Sequence, residues 1–220
     1  MEIVLASKVL RANAEVADEN RARLEALGLV TLNLMSSPGS GKTSLLERTA
    51  EALGGEMAIG VVEGDIQTTR DAERIERAGL ACVQIQTEGA CHLSAPMVRD
   101  ALGRLDLEKL ALLFIENVGN LVCPAAFDLG ETHRVVLASV PEGDDKPAKY
   151  PEIFLDAAAF VVNKTDLVPH TDCDIERLKA DALSINPELW VCALSCRTGE
   201  NLDAWLDWVR GLVRTGNAQG

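Results

Sequence analysis

The sequence predicts a three-layer α/β fold in which a mostly parallel central sheet lies between helices. Short apolar runs alternate with helical patterns along the 220 residues, and unbroken apolar runs are typical of parallel strands that are buried on both faces. Several of these runs end directly in glycine-rich, acidic or asparagine-containing loops. Loops of this kind are expected where the carboxyl ends of parallel strands form a ligand site.

An extra helix is predicted before the first strand, over residues 3–27. Val9, Ala12, Val16, Leu24 and Leu27 recur at helical spacing, and a glycine at position 28 would end the helix. We expect residues 1–28 to pack on or beside the main domain, which spans residues 29–214. Packing on the domain is favoured over a contact with a second subunit. Residues 215–220, beyond the predicted terminal helix over 201–213, are expected to form a frayed tail.

A phosphate-binding P-loop is predicted at residues 36–43, which have the sequence SSPGSGKT. An apolar strand over 29–35 precedes this loop and a helix follows it, which is the context that the motif requires. Ser36 stands where the motif has its first glycine. Lys42 would reach the β- and γ-phosphates, and the Thr43 hydroxyl would hold Mg²⁺. The predicted phosphate-binding residues are Gly39, Ser40, Gly41, Lys42, Thr43 and Ser44. The predicted fold is therefore that of a P-loop NTPase.

Two carboxylates follow later strands. Asp65 comes just after the strand predicted over 57–62, and Glu116 ends the apolar run 109–115. At the carboxyl end of a parallel strand, a carboxylate can hold Mg²⁺ or orient an attacking water; for Asp65, capping of the next helix is the alternative. Gly119 would offer its N–H to the γ-phosphate. The predicted catalytic residues are Lys42, Asp65 and Glu116, and the predicted Mg²⁺ ligands are Thr43, Asp65 and Glu116.

A guanine site is predicted at residues 163–166, which have the sequence NKTD and follow an apolar run. Asp166 can accept hydrogen bonds from the guanine N1–H and amine, a donor pair that adenine lacks. Asn163 would brace the loop or contact the base O6, and the stem of Lys164 would cover the ring. Ser195 and Cys196 lie where a backbone N–H would meet the guanine O6. GTP and GDP are therefore the expected nucleotides.

A metal site is suggested by Cys91 and His92, adjacent residues in the loop after a strand predicted over 80–86. Thiolate and imidazole are donors that Zn²⁺ and Ni²⁺ prefer. Cys123 is a second thiol, and the ends of adjacent strands would bring it close to the pair. Cys82 and Cys192, inside predicted strands, are expected to be core residues.

Bulk properties narrow the range of functions. A net charge of −13 disfavours general binding to nucleic acid or to an anionic membrane. The chain has no apolar run of membrane-spanning length, and its first eight residues show no basic region or cleavage signature, so we expect no secretion signal. We therefore expect a cytoplasmic location, where six cysteines do not form a disulfide framework. The charged loop 141–151 is either a solvated connection or a mobile segment that carries Lys146 or Lys149 to a phosphate or a second subunit.

Taken together, these motifs resemble the hydrogenase nickel-incorporation (maturation) GTPases, the HypB family of the SIMIBI class. The resemblance covers nearly the whole length and is most specific at residues 116–124, ENVGNLVCP. It implies a GTPase that dimerises with GTP and helps insert nickel into the large subunit of [NiFe]-hydrogenase. It also implies that Cys91, His92 and Cys123 bind Ni²⁺ or Zn²⁺ at the dimer interface. The implied partners are a HypA-type nickel accessory protein and the hydrogenase large subunit. Turnover should be slow, since no motif places an arginine finger or a catalytic glutamine.

Some features of the family are missing, and other functions remain open. No cysteine-rich cluster precedes the first helix, and the three histidines are dispersed, so a nickel-storage role is not supported. A urease-type nickel-insertion GTPase has the same fold, but the segments 116–124 and 142–151 favour the hydrogenase family. A regulatory GTPase with only a structural zinc is another alternative. A small-molecule P-loop kinase is disfavoured by the NKTD sequence.

Overall fold

The computed structural model describes residues 2–216, with side-chain environments from residue 8 onward. Seven parallel strands form one sheet in the order β3-β2-β4-β1-β5-β6-β7. The strands are β1 Val30–Ser36, β2 Ile59–Asp65, β3 Ala81–Gln86, β4 Leu112–Glu116, β5 His133–Ser139, β6 Ala157–Asn163 and β7 Trp190–Ala193. The helices are α1 Glu2–Ala26, α2 Lys42–Leu53, α3 Arg70–Arg77, α4 Ala95–Leu102, α5 Lys146–Lys149, α6 Glu152–Leu155, α7 Ile175–Ile185 and α8 Leu202–Gly216. The predicted three-layer α/β fold is confirmed.

Side chains of the central strands alternate between two cores. Leu32 and Leu34 of β1 and Phe114 of β4 pack with α2, α3 and α8 on one face. On the other face, Ile115 packs with α1 and α4, and Met35 packs with α6 and α7. Every residue of β1 and β4 is buried, because helices cover both faces of the sheet. This double coverage explains the unbroken apolar runs in the sequence.

Several element boundaries differ from the prediction. Strand β4 begins at Leu112 rather than at residue 109, because Leu107–Lys109 forms a 3-10 turn. Helix α8 extends to Gly216, so residues 215 and 216 of the predicted tail are helical and residues 217–220 lie outside the described part. Helix α7 was not predicted as an element, although its N-cap Asp174 accepts hydrogen bonds from two backbone N–H groups of the first turn. Among residues 2–216, no helix is both long enough and apolar enough to cross a membrane.

The apolar stripe predicted for α1 is largely wrong. Val9 is 55% exposed and Ala12 is also exposed, whereas between residues 8 and 26 the buried positions of the helix are Asn13, Ala17, Asn20 and Leu24. Only Leu24 belongs to both sets. The buried face thus contains two polar residues that an apolar periodicity cannot detect.

Hydrogen bonds explain why these asparagines are buried. Asn13 donates to the carbonyl of Asp128 at 2.7 Å and accepts from the N–H of Ala95 at 2.8 Å. Asn20 donates to the carbonyls of Ala95 and Leu129, both at 3.0 Å. Each side chain therefore connects the start of α4 to the loop before β5. Helix α1 is attached to the domain by these polar contacts as well as by apolar packing.

Candidate functional site

The predicted site residues converge at the carboxyl edge of the sheet, where the loops after the seven strands meet. Two clefts lie there, with volumes of about 470 Å³ and about 510 Å³. The first is lined by the P-loop, the ends of β2 and β4 and the start of α3. The second is lined by α2, the loop after β6 and the loop after β7. The first cleft contains the residues predicted to bind phosphates, and the second contains the residues predicted to bind the base; they are called the phosphate cleft and the base end.

The P-loop has the geometry that its glycines permit. Gly41 adopts φ 100° immediately before α2, and a side chain at this position would overlap the Asn163 amide. The ammonium of Lys42 donates to the Ser36 hydroxyl at 2.9 Å. The residue that departs from the motif thus provides a hydrogen-bond acceptor for the P-loop lysine.

Two buried carboxylates lie beside the P-loop. Thr43 Oγ1 donates to Glu116 Oε1 at 2.9 Å, and Glu63 of β2 lies in register with Glu116 of β4. Burial raises the pKa of Glu116 to about 7, although Lys42 and Thr43 act to lower it. Burial, followed by the charge of Glu116, raises the pKa of Glu63 to about 8.

This carboxylate pair has oxygens that could bind a cation. Within the described residues, one Oε2 atom each of Glu63 and Glu116 is buried without a hydrogen-bond partner. Buried polar atoms are normally paired, and Mg²⁺ prefers oxygen ligands. The residues present therefore fit Mg²⁺ held by Thr43, Glu116 and Glu63. Sequence reasoning missed Glu63 because the strand was predicted to end at Val62, whereas β2 continues through Asp65.

Asp65 also lines the phosphate cleft, but its carboxylate is engaged in a turn. It accepts from the N–H of Gln67 at 3.0 Å and from the hydroxyl of Thr68 at 2.8 Å. Partial burial acts to raise its pKa, but these hydrogen bonds leave the pKa below its ordinary value. In this structure the ionised Asp65 thus stabilises the turn that precedes α3.

Two further residues of the phosphate cleft were not predicted, Asp71 and Arg74 of α3. The Arg74 guanidinium donates to Glu47 at 2.7 Å, to the Ser44 hydroxyl at 3.1 Å and to Asp71 at 3.2 Å. No sequence motif marks these positions, because α3 reaches the cleft only through the packing of β2 and β3.

Gly119 lies directly against the P-loop. A Cβ atom at Gly119 would be 2.9 Å from backbone and ring atoms of Pro38, which is closer than real Cβ contacts. The loop after β4 is therefore in contact with the P-loop, as expected for a segment that senses the γ-phosphate.

At the base end of the site, the side chain of Asp166 is oriented by a neighbour. The buried Ser195 hydroxyl donates to Asp166 Oδ1 at 2.6 Å. The ammonium of Lys164 donates to the carbonyl of Gly39 at 2.6 Å, so this side chain extends over the loop that would hold the phosphates. Asp166 itself lines the second cleft.

Asn163 braces the loops around the base site. Its amide donates to the carbonyl of Ser40 at 3.0 Å, and its oxygen accepts from the N–H of Cys196 at 3.1 Å. Of the two roles predicted for Asn163, the structure shows loop bracing. The Cys196 N–H, which we expected at the guanine O6, contacts Asn163 in this structure.

The structure brings Cys91, His92 and Cys123 together. Their ligand atoms lie within 4.8 Å of one another, with 3.0 Å between the two sulfurs and 3.8 Å between Cys91 Sγ and His92 Nδ1. The His92 ring lies 3.9 Å from that of Phe127, measured between centroids. Partial burial lowers the pKa of His92, which favours the neutral imidazole that metals bind. This donor set suits Ni²⁺ or Zn²⁺.

We expected Cys91 and Cys123 to follow adjacent strands, and this expectation is wrong. Cys91 follows β3 and Cys123 follows β4, but these strands are not adjacent because β2 lies between them. The loops after β3 and β4 therefore meet above the end of β2. Contact between these loops, rather than strand adjacency, brings the three residues together.

Two further cysteines, Cys82 and Cys192, lie within strands of the sheet. Cys192 is 3% exposed, as predicted for a core residue. Cys82 is only half-buried, and the prediction of a buried residue is wrong because β3 is an edge strand with a single neighbour. All six cysteines are free thiols.

The loop after β5 is connected to the P-loop. Glu142 accepts from the Ser40 hydroxyl at 2.8 Å, and Lys146 lies 3.6 Å from the Glu142 carboxylate. Burial acts to raise the pKa of Glu142, but hydrogen bonds from serines leave it below its ordinary value. Lys149 pairs with Asp145. Within one chain both lysines thus make local ion pairs, and a role across a dimer stays a prediction.

Comparisons with known proteins agree with this geometry. The family model described as CobW/HypB/UreG, nucleotide-binding domain, matches residues 30–193. Hydrogenase maturation factor HypB of Azotobacter vinelandii is 56% identical over 201 residues, which are 91% of this chain and 66% of that protein. The chain thus spans about two thirds of the length of this relative.

Two solved structures are similar over nearly their whole length. Hydrogenase maturation factor HypB from Archaeoglobus fulgidus superposes with a TM-score of 0.87 at 43% identity, over 92% of this chain and 99% of that chain. HypB from Helicobacter pylori, solved in complex with nickel, superposes with a TM-score of 0.88 at 41% identity, over 93% of this chain and 96% of that chain.

Proposed function

The chain belongs to the HypB hydrogenase maturation factors, a family of P-loop GTPases, and on this premise we propose that it is a GTP-hydrolysing nickel metallochaperone. Its task is to help insert nickel into the large subunit of [NiFe]-hydrogenase. The observation that carries this proposal is the position of Cys91, His92 and Cys123, which lie together on loops beside the phosphate cleft. A relative of the same fold has been solved with nickel.

The proposed binding of GTP rests on the two clefts. Asp166, oriented by Ser195, accepts hydrogen bonds from guanine. Backbone N–H groups of the P-loop and the N-terminus of α2 hold the phosphates, and Lys42 moves from Ser36 to the β- and γ-phosphates. Mg²⁺ supplies charge neutralisation at the phosphates when it is bound, and Thr43 and Glu116 are its proposed ligands. Asp65 and Glu63 are the candidates to complete its coordination or to orient the attacking water.

Slow hydrolysis is part of the proposal. Arg74 lines the phosphate cleft, but its guanidinium is bound to Glu47 and Asp71, so it is not available to stabilise charge on a transferred phosphate. A second subunit would supply what one chain lacks. We propose that GTP promotes a homodimer and that the segment with Lys146 and Lys149 contributes to it.

Nickel transfer follows from incomplete coordination. Cys91, His92 and Cys123 provide three donors per chain, whereas a closed site requires four. Two chains at a dimer interface complete the coordination, and separation after hydrolysis opens it again. A HypA-type accessory protein as the source of nickel and the hydrogenase large subunit as the acceptor complete the proposal.

The test measures metal content and dimer fraction together, in the GDP form and in the form with a non-hydrolysable GTP analogue. Cys91→Ala and Cys123→Ala should each lose Ni²⁺ while retaining GTP binding. Cys173→Ala is the matched control, since this half-buried cysteine lies outside the metal group. Identical nickel affinity and stoichiometry in both nucleotide forms would mean that the metal is not linked to hydrolysis, and the proposed transfer mechanism would fail.

A further inference from the structure

Two asparagine side chains join the loop after β4 to the metal-bearing loop after β3. Asn117 Oδ1 accepts a hydrogen bond from the backbone N–H of Leu93 at 3.1 Å. Asn120 Nδ2 donates to the backbone carbonyl of Cys91 at 3.2 Å. The two contacts lie on either side of His92. The backbone that carries two of the three metal donors is thus held at both ends by one neighbouring loop.

The Asn117 bridge is firmly anchored. This residue is 1% exposed, and its Oδ1 also accepts from the N–H of Val118 at 3.0 Å. Its amide nitrogen donates to Asn33 Oδ1 at 3.3 Å, and Asn33 in turn donates to Glu131 at 3.1 Å. A buried amide that is hydrogen-bonded through both its oxygen and its nitrogen is costly to displace, because movement leaves polar groups without partners.

The other side of the same loop contacts the nucleotide-binding elements. Glu116, directly before Asn117, accepts from Thr43 of the P-loop at 2.9 Å. Gly119, between the two asparagines, lies against Pro38. A displacement of residues 117–120 when the γ-phosphate leaves would therefore be passed to the backbone of residues 91–93.

We propose that Asn117 and Asn120 are positioning residues that transmit the nucleotide state to the metal loop. The inference rests on the proposed function, which requires nickel binding and nucleotide binding to be linked. Cys123 is connected to the moving loop covalently, three residues after Asn120. Cys91 and His92 are connected to it through the two asparagines. A single displacement of this loop thus moves all three donors, and the coupling between the two ligands passes through two side-chain amides.

The deciding variant is Asn120→Asp. Asn120 Oδ1 accepts from the N–H of Val122 at 2.9 Å, and an aspartate keeps this local contact while losing the donor to Cys91. The residue is half-buried at the surface of the loop, so the fold should tolerate the change. Asn120→Ala removes the bridge without adding charge. Asn201→Asp is the matched control, because this exposed asparagine also donates to a backbone carbonyl, that of Ala193 at 2.8 Å, but lies in the loop after β7.

The quantity to measure is the Ni²⁺ dissociation constant of the full chain with GDP, divided by the constant with a non-hydrolysable GTP analogue. Couplings of this kind are typically about 5- to 150-fold. Both Asn120 variants should bring the ratio at least about threefold closer to one, whereas Asn201→Asp should keep the ratio of the unmodified protein. A purely structural role would weaken nickel binding equally in both forms and leave the ratio unchanged.

The outcomes separate the two proposals. A ratio of one in the unmodified protein would reject the linkage that the proposed function requires. A ratio that differs from one in the unmodified protein, and that both Asn120 variants retain, would overturn the role of the asparagines and leave the proposed function intact. Thermal denaturation of each variant before titration verifies that the folded protein is being compared.

Discussion

Asp166, the residue proposed to recognise the base, is oriented by one neighbouring side chain. Its Oδ1 atom accepts a short hydrogen bond of 2.6 Å from the buried Ser195 hydroxyl. This contact fixes the orientation of the carboxylate group, and therefore the position of its second oxygen. Ordering a charged acceptor before the ligand arrives reduces the entropy that binding must otherwise cost. In the proposed base site, specificity would therefore depend on a pair of residues that are 29 positions apart.

We predict that Asp166→Asn changes the preferred base from guanine to xanthine. The new amide keeps an oxygen for Ser195 and presents an NH₂ group where xanthine offers a carbonyl oxygen. GTP affinity should fall by about 100-fold, which corresponds to roughly 3 kcal/mol for lost hydrogen bonds to a charged group. Competition by GTP, xanthosine triphosphate and ATP against a fluorescent nucleotide measures this. Equal competition by ATP and GTP in the unmodified protein would contradict the guanine site.

The raised pKa of Glu63 makes the stability of the fold depend on pH. An unfolded glutamate has a pKa near 4.5, whereas burial raises the pKa of Glu63 in the folded protein to about 8. Between these values the folded state holds a proton that the unfolded chain has lost. The stabilising contribution is therefore fully present below pH 4.5 and is lost as the pH rises through about 8.

We predict that Glu63→Gln removes this pH dependence. From pH 7 to pH 8, the unfolding free energy of the unmodified protein should fall relative to the variant by about 1 kcal/mol, since one pKa unit corresponds to about 1.4 kcal/mol. Urea unfolding without nucleotide and with a chelator present provides the measurement. The exposed Glu188→Gln should behave like the unmodified protein. Parallel curves for Glu63→Gln and Glu188→Gln would show that Glu63 is ionised in the folded state.

At the scale of elements, helix α1 supports the loops that carry the metal donors. Asn13 and Asn20 both bind Ala95, three residues after His92, and they also bind residues 128 and 129. These latter residues follow Phe127, whose ring lies against His92. The helix thus holds the segments that lead out of both metal-bearing loops.

We predict that Asn20→Ala destabilises the fold by about 1–3 kcal/mol, because it removes two buried hydrogen bonds, to the carbonyls of Ala95 and Leu129. Val9→Ala on the same helix should change stability by less than about 0.5 kcal/mol, since Val9 is 55% exposed. Urea midpoints of both variants give the comparison. A larger loss for Val9→Ala than for Asn20→Ala would show that the apolar stripe, and not the asparagine face, attaches α1.

At the scale of the whole molecule, the proposed function extends beyond one chain. The phosphate cleft contains an arginine that is already paired, and the metal group offers three donors. Both features are consistent with a function that needs a second subunit, as the proposed GTP-dependent dimer provides. Catalysis and metal transfer would then share one association equilibrium.

We predict that GTP turnover per chain is slow and rises with protein concentration. In a dilute monomeric sample each chain lacks the groups of its partner, so the rate should be at its minimum and should increase as dimers form. Phosphate release across a concentration series, with the dimer fraction measured in parallel, is the appropriate experiment. Lys42→Ala should remain inactive at every concentration. Fast turnover that is independent of concentration would show that a single chain contains a complete catalytic site.

The sequence by itself determined the fold class, the P-loop, the guanine motif and the identity of the candidate metal donors. Each of these depends on residues that are contiguous in the chain or directly follow an apolar strand. A phosphate loop needs its glycines and lysine at fixed spacing because one short backbone segment surrounds the ligand. Patterns of this kind are visible without knowledge of the neighbouring strands.

Only the tertiary structure decided which distant residues meet. The order of the strands places Glu63 beside Glu116 and separates β3 from β4, and no periodicity encodes that order. The buried face of α1 is determined by backbone groups of loops far away in the chain. Its asparagines are therefore buried, whereas most of the apolar residues predicted for that face are not. The bridges from Asn117 and Asn120 likewise depend on two loops meeting over β2. Contacts between separate segments arise from packing, and packing is a property of the whole fold.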